Sequence, residues 1–147
     1  MNRPLLRAEA IIVNEENNKV LVQCDDKETF YRFPGGSIEF GESACEAIVR
    51  ELREEYNLQV QVAALAIVNE HIFEIEGKSH HHCTLFHWCK PITSVHEVLF
   101  HQEHENIILI WKSVQELKDK AIYPEEVIFL FEQQGHASHS LVRKIYS

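Results

Sequence analysis

Polar and apolar residues are arranged in short blocks with two different periods. Leu5 to Val13 (LLRAEAIIV) and Lys19 to Cys24 (KVLVQC) are apolar, β-branched runs. Asn14-Glu15-Glu16-Asn17-Asn18, a polar stretch rich in turn formers, separates them and predicts a hairpin. Phe30 to Phe33 reads as a short aromatic strand, stopped by Pro34-Gly35-Gly36, where two glycines permit a sharp bend. From Ser43 the period changes. Cys45, Ile48, Val49, Leu52 and Tyr56 recur at helical intervals, and Ser43-Ala44-Cys45-Glu46 has capping-box spacing, so the pattern predicts a helix over Ser43 to Tyr56. Asn57, which tolerates a left-handed backbone, is placed to end it.

The second half begins with Leu58 to Ile75, long, β-branched and free of Gly and Pro. Glu76-Gly77-Lys78-Ser79 divides it from His80 to Lys90, and the two runs predict a second hairpin. Asn106 to Trp111 (NIILIW) is a further strand, Ser113-Val114-Gln115-Glu116 repeats the capping-box pattern, and Pro124 to Gln134 predicts another helix. His136 to Ser147 carries no assignable pattern. Strands mixed with two or three helices indicate an α+β or α/β/α layered domain.

Composition narrows the function. At 147 residues and 45% apolar content, the expectation is one domain over 1–147 with a single core. A formal charge of -9 repels a phosphate backbone, which argues against bulk nucleic-acid binding. A small phosphorylated ligand is different, because a divalent cation reverses the local field. Cys24, Cys45, Cys83 and Cys89 form no C-x-x-C pair, and no apolar leader or stretch of the ~20 residues that spans a bilayer is present. A cytosolic protein with reduced thiols and no membrane span is expected. A symmetric dimer is the commonest assembly for such a chain.

The chemistry concentrates on the predicted helix. Glu51, Glu54 and Glu55 are three and four residues apart, so they share one face and repel one another by a few tenths of a kcal/mol per pair. They also sit at the C-terminal end, where the helix dipole disfavours anions. Hard divalent cations take oxygen ligands, and Mg²⁺ combines a few carboxylates with waters and substrate phosphates, which would turn this repulsion into attraction. Ala44 and Ala47, on the adjoining helix surface, are expected to leave a ligand room to approach. Taken alone, the three glutamates would read as a solvated acidic face.

The wider pattern changes that reading. Gly36 is followed by Glu42, then by Arg50-Glu51-Leu52, Glu54-Glu55 and Leu58. This order resembles the Nudix box, G-x5-E-x7-R-E-U-x-E-E-x-G-U with U aliphatic, and departs from it only at Asn57, which replaces the last glycine. The resemblance implies a Nudix-like α/β/α sandwich with a mixed sheet between helices. It implies that Glu51, Glu54, Glu55 and the Gly35 carbonyl hold Mg²⁺ or Mn²⁺, that Arg50 orients the glutamates, and that Glu51 activates water. A further acid from the loop before the late strand is implied as well: Glu105, with Glu103 as its rival. The implied reaction is cleavage of a phosphoanhydride bond in a small-molecule nucleotide. A nucleoside diphosphate linked to another group, of the ADP-ribose or nucleotide-sugar type, is favoured; nucleoside triphosphates, dinucleoside polyphosphates and a non-catalytic nucleotide sensor are the alternatives.

Two other signals are weaker. His80, His81, His82, Cys83, His87 and Cys89 fall on opposite faces of one strand and match no zinc-ligand spacing, so they read as ordinary strand residues, some near substrate. Arg32, just upstream of the glycines, is a candidate substrate contact through charge or stacking, while Phe129 and Phe131 read as core.

Overall fold

A computed structural model describes residues 2–14, 16–131 and 138–146. The first hairpin is present: β1 (Leu5–Asn14) and β2 (Lys19–Asp25) pair antiparallel from Ile12–Leu21 to Asn14–Lys19, with Asn18 at φ 55° in the turn. Beyond it the two strands part and acquire other neighbours. β1 pairs antiparallel with β4 (Gly35–Ser37) and parallel with β6 (Lys78–Pro91); β2 pairs antiparallel with β8 (Ile107–Ser113). The predicted second hairpin is β5 (Val60–Ile75) with β6. Among the described residues ten strands form one mixed sheet.

The period of two along β1 divides the core. Ala8, Ala10 and Ile12 point to one side of the sheet and pack with Ala47, Ile48, Leu52 and Tyr56 of α1 (Ala44–Tyr56). Ile11 points to the other side and packs with Val114 and Leu117 of α2 (Val114–Lys118) and Val127 and Ile128 of α3 (Glu126–Leu130). The molecule is therefore an α+β sandwich, with a mixed sheet between one helix and two. Among the described residues no helix is long and apolar enough to cross a membrane.

Several local expectations change. Ala47 is fully buried in the core, not on the open helix surface, because α1 turns Ala47 rather than Cys45 onto the sheet; Cys45 and Val49 are only partly buried. Gly35 to Ser37 is more than a bend, since it forms a strand against Arg7 to Glu9. Two-residue strands β3 (Tyr31–Arg32) and β9 (Ile122–Tyr123) pair with each other, and β7 (Val98–Phe100) pairs with β8. Residues 138–146, without pattern in sequence, are β10 (Ser138–Tyr146), parallel to β5 at the end of the sheet. The last predicted helix is described only over α3, and its expected end at 132–134 lies outside the described residues.

Candidate active site

The site is assembled where β4 passes under α1. Gly35 lies at φ 155°, and a Cβ there would overlap the Ala8 carbonyl oxygen and the Glu9 backbone on the neighbouring strand. A Cβ on Gly36 would lie 2.5 Å from the Glu51 carboxyl carbon. One glycine lets β4 approach β1, and the other leaves the space that the Glu51 carboxylate fills.

The helix is fixed at both ends. The Ser43 side chain accepts from the Glu46 N–H while Glu46 accepts from the Ser43 N–H, the capping box expected from sequence. Asn57 is left-handed, φ 52° and ψ 36°, and donates its N–H to the Arg53 and Leu52 carbonyls, as the replaced glycine would. The departure from the box is thus absorbed without loss of the helix end.

Arg50 gathers the acids around it. Its Nε and Nη2 donate to the two oxygens of Glu42 at 2.7 and 3.0 Å, a bidentate pair. Nη1 reaches Glu51 Oε1 at 2.9 Å and Glu54 Oε2 at 3.3 Å, and Nη2 also donates to the Ser37 carbonyl at 3.1 Å. The hydrogen bonds from Arg50 hold the Glu42 carboxyl below its ordinary range, and those acids in turn raise the guanidinium pKa.

Glu55 is the discordant member. Its Oε2 is buried and has no hydrogen-bond partner. Burial first, then the charge of Glu51 and a hydrogen bond shared with it, push the Glu55 carboxyl up to about 8; Arg7 opposes this and Glu103 adds to it. The Gln102 N–H donates to the Glu55 carbonyl at 2.7 Å, which ties the loop before β8 to the end of α1. His101 of that loop places Nε2 3.8 Å from Glu55 Oε1. Both loop acids are exposed, and Glu103 is the one whose charge acts on Glu55.

The structure thus brings Arg50, Glu51, Glu54, Glu55, Gly35 and Gly36 to one corner. Glu54 is the outermost of the helix acids, its side chain 56% exposed. Among the described residues, no three His, Cys, Asp or Glu side chains are already closed around one point as a metal cage. The donor set nonetheless suits a hard divalent cation: all-oxygen ligands, two carboxylates pressed together, and one oxygen out of water with nothing to bind. A cavity of about 480 Å³, lined among others by Tyr56, Leu58, Leu99 and Phe100, opens at the same end of α1 behind the loop rather than over the acids.

On the opposite side of the sheet lies a second group, of which Arg32 and the β6 histidines were named from the sequence while Arg7, Glu9, His71 and Tyr123 were missed. Arg7 and Glu9 share the face of Ile11; Arg7 Nε contacts Glu9 Oε2 at 3.4 Å, and burial raises the Glu9 carboxyl while Arg7 and Arg32 pull it down. Arg32 itself is exposed, its guanidinium 5.7 Å from the Phe30 ring centre. Beside them His71 stacks on Phe73 at 4.2 Å and on Tyr123 at 4.7 Å, Phe73 stacks on His80 at 4.8 Å, and His82 meets Phe73 edge-on. The Tyr123 hydroxyl donates to buried Asn69 at 3.0 Å. The charge of Arg7 acts on both Glu55 and His82. The available signal was two charged residues at positions of β1 that share the inward period of Ile11.

The His and Cys residues of β6 do not converge. His87 Nδ1 lies 2.9 Å from the Ala63 carbonyl oxygen and 3.9 Å from Cys45 Sγ, Cys89 Sγ donates to the His87 carbonyl at 3.5 Å, and all four cysteines are free. His80 and His82 belong to the ring cluster, as strand alternation places them.

Comparison with known proteins agrees with this geometry. The NUDIX domain model matches residues 4–132. The chain is 30% identical over 129 residues to the CTP pyrophosphohydrolase of Escherichia coli (strain K12), covering 86% of this chain and 89% of that protein. The crystal structure of a NUDIX hydrolase from Nitrosomonas europaea superposes with a TM-score of 0.71 at 19% identity, over 97% of this chain and 81% of that one. That of a UDP-X diphosphatase gives 0.65 at 21%, over 94% and 68%. The ordered acids beside Gly36, the sandwich that carries them and the match over most of the sequence together establish that the chain belongs to the Nudix hydrolase family.

Proposed function

We propose that the protein hydrolyses a phosphoanhydride bond in a small nucleotide, with Mg²⁺ or Mn²⁺ held by Glu51, Glu54, Glu55 and the Gly35 carbonyl. The observation that carries the reading is the unpartnered, buried Oε2 of Glu55 against Glu51. Two carboxylates so placed cost stability unless a cation or a proton joins them. Of the loop acids, Glu103 is favoured over Glu105 as the additional ligand, because its charge already acts on Glu55. A bound divalent ion supplies charge neutralisation at the phosphates and acidifies water.

The protein's own residues do the rest. Arg50 fixes Glu51 through Nη1 and is itself fixed by the Glu42 fork, so the carboxylate assigned to accept the proton of water has one orientation. Arg7 and Arg32, held near part-buried Glu9, supply positive charge beside a phosphate chain, and the His71, Phe73, His80 and Tyr123 rings offer a stacking surface for a base.

The favoured substrate is a nucleoside diphosphate linked to another group, of the ADP-ribose or nucleotide-sugar type. Similarity to a CTP pyrophosphohydrolase favours a second reading, a nucleoside triphosphate. Phosphate or pyrophosphate release from a panel of both classes, with Mg²⁺ and with Mn²⁺, separates the two. Glu54→Gln is expected to abolish metal-dependent turnover while leaving the fold intact, and a fully active variant overturns the assignment. Inactivity across the panel with intact metal binding would instead make the protein a nucleotide sensor.

A further inference from the structure

The loop between β7 and β8 turns around one imidazole whose two nitrogens face different groups. His101 Nδ1 accepts the backbone N–H groups of Glu103 at 3.0 Å and His104 at 3.2 Å. A nitrogen that accepts cannot carry the proton, so the neutral ring must be the Nε2–H tautomer. Nε2 faces Glu55 Oε1 at 3.8 Å. The His101 side chain is 5% exposed, packed edge-on to Tyr56 with ring centres 5.2 Å apart and tilted against His104 at 4.7 Å.

We propose that His101 is a positioning residue of the acid site, which turns the loop backbone at Glu103 with one nitrogen and aims an N–H at the Glu55 carboxylate with the other. A ring buried only for packing has no need of this division. The two N–H bonds at Nδ1 fix the ring plane, Tyr56 fixes its edge, and the remaining donor is left facing the one helix acid that has an unpartnered buried oxygen. At 3.8 Å the contact is longer than a hydrogen bond, and a side-chain adjustment of about 1 Å closes it. A ligand carboxylate so oriented from behind presents its other oxygen in a fixed direction, the role that outer partners play around metal sites. The loop acid Glu103 and the helix acid Glu55 are then set in register by the same ring.

The inference rests on the metal reading given above, and its test separates the two. The metal-free protein, labelled with ¹⁵N-histidine, should show His101 as the Nε2–H tautomer; an Nδ1–H tautomer overturns the proposal. Mn²⁺ alone is then titrated by calorimetry into wild type, His101→Asn and His101→Gln. Asn retains an acceptor near the Nδ1 position and loses the donor, whereas Gln retains a donor near the Nε2 position. His101→Asn should melt close to wild type yet bind Mn²⁺ about tenfold more weakly, with kcat falling more than KM rises, while His101→Gln stays nearer wild type in affinity. Unchanged Mn²⁺ affinity and kcat in His101→Asn overturn the proposal. Should that variant not fold, His101→Gln decides: affinity close to wild type supports the role, and a loss of about tenfold overturns it. Wild type that takes up no Mn²⁺ defeats the metal reading itself, a result distinct from a metal-binding wild type matched by His101→Asn.

Discussion

At the scale of single residues, the site is an electrostatic conflict resolved in part by Arg50. Glu42, Glu51 and Glu54 each have a guanidinium contact, and Glu55 has none that offsets its burial. Its carboxyl, with an ordinary value of 4.5 and about 8 in the folded protein, ties stability to pH. Between those values the native form keeps a proton that the unfolded form has released, so metal-free stability falls as pH rises through that window. Glu55→Gln removes the titration. Its melting temperature without metal should exceed that of wild type above pH 8, and the difference should vanish towards pH 4.5. A second prediction concerns space. Gly36→Ala puts a methyl group 2.5 Å from the Glu51 carboxyl carbon, so that carboxylate must move. Metal-dependent hydrolysis should drop on the order of 10²-fold, with circular dichroism unchanged. Order and spacing of the acids were legible in the sequence because helix periodicity fixes which residues share a face. The packing of Gly36 on Glu51 was not, because it depends on the register of β4 against β1.

At the scale of elements, α1 is held by its caps as much as by its buried face. Asn57 occupies a left-handed conformation that a residue with an ordinary side chain enters at a cost of about 1–2 kcal/mol. Asn57→Ala should therefore lower stability by about 1 kcal/mol in a denaturant titration, and Asn57→Gly should match or exceed wild type. Capping boxes at Ser43 and Ser113 were read correctly because each is a local pattern closed within four residues. The short strands β4, β7 and β9 escaped for the opposite reason: two or three residues carry no periodicity, and partners distant in sequence alone make them strands. Ala47 was misplaced because helical spacing defines a stripe only to within a residue or so, and the sheet selects which edge of the stripe it takes.

At the scale of the whole molecule, the sheet is extended past the family match by β10. Residues 138–146 follow the matched segment 4–132 and cover the outer edge of β5 over its whole paired length, from Ile67 to Ile75. Tyr146 also packs on the His71 and Phe73 rings. Ending the chain at residue 137 should uncover that edge, lower the melting temperature and promote self-association on sedimentation, because an unpaired strand is a template for another. Sequence gave no warning of β10, since His139, Arg143 and Lys144 interrupt the apolar run, and its pairing is parallel with a strand some seventy positions earlier. Along β1, even-numbered Ala8 and Ala10 support the acidic helix while odd-numbered Arg7 and Glu9 face the rings, so adjacent positions belong to different tasks. On the function proposed above, exchanges at the odd position Glu9 retune which nucleotide is recognised while the alanines go on supporting the helix that carries the acids.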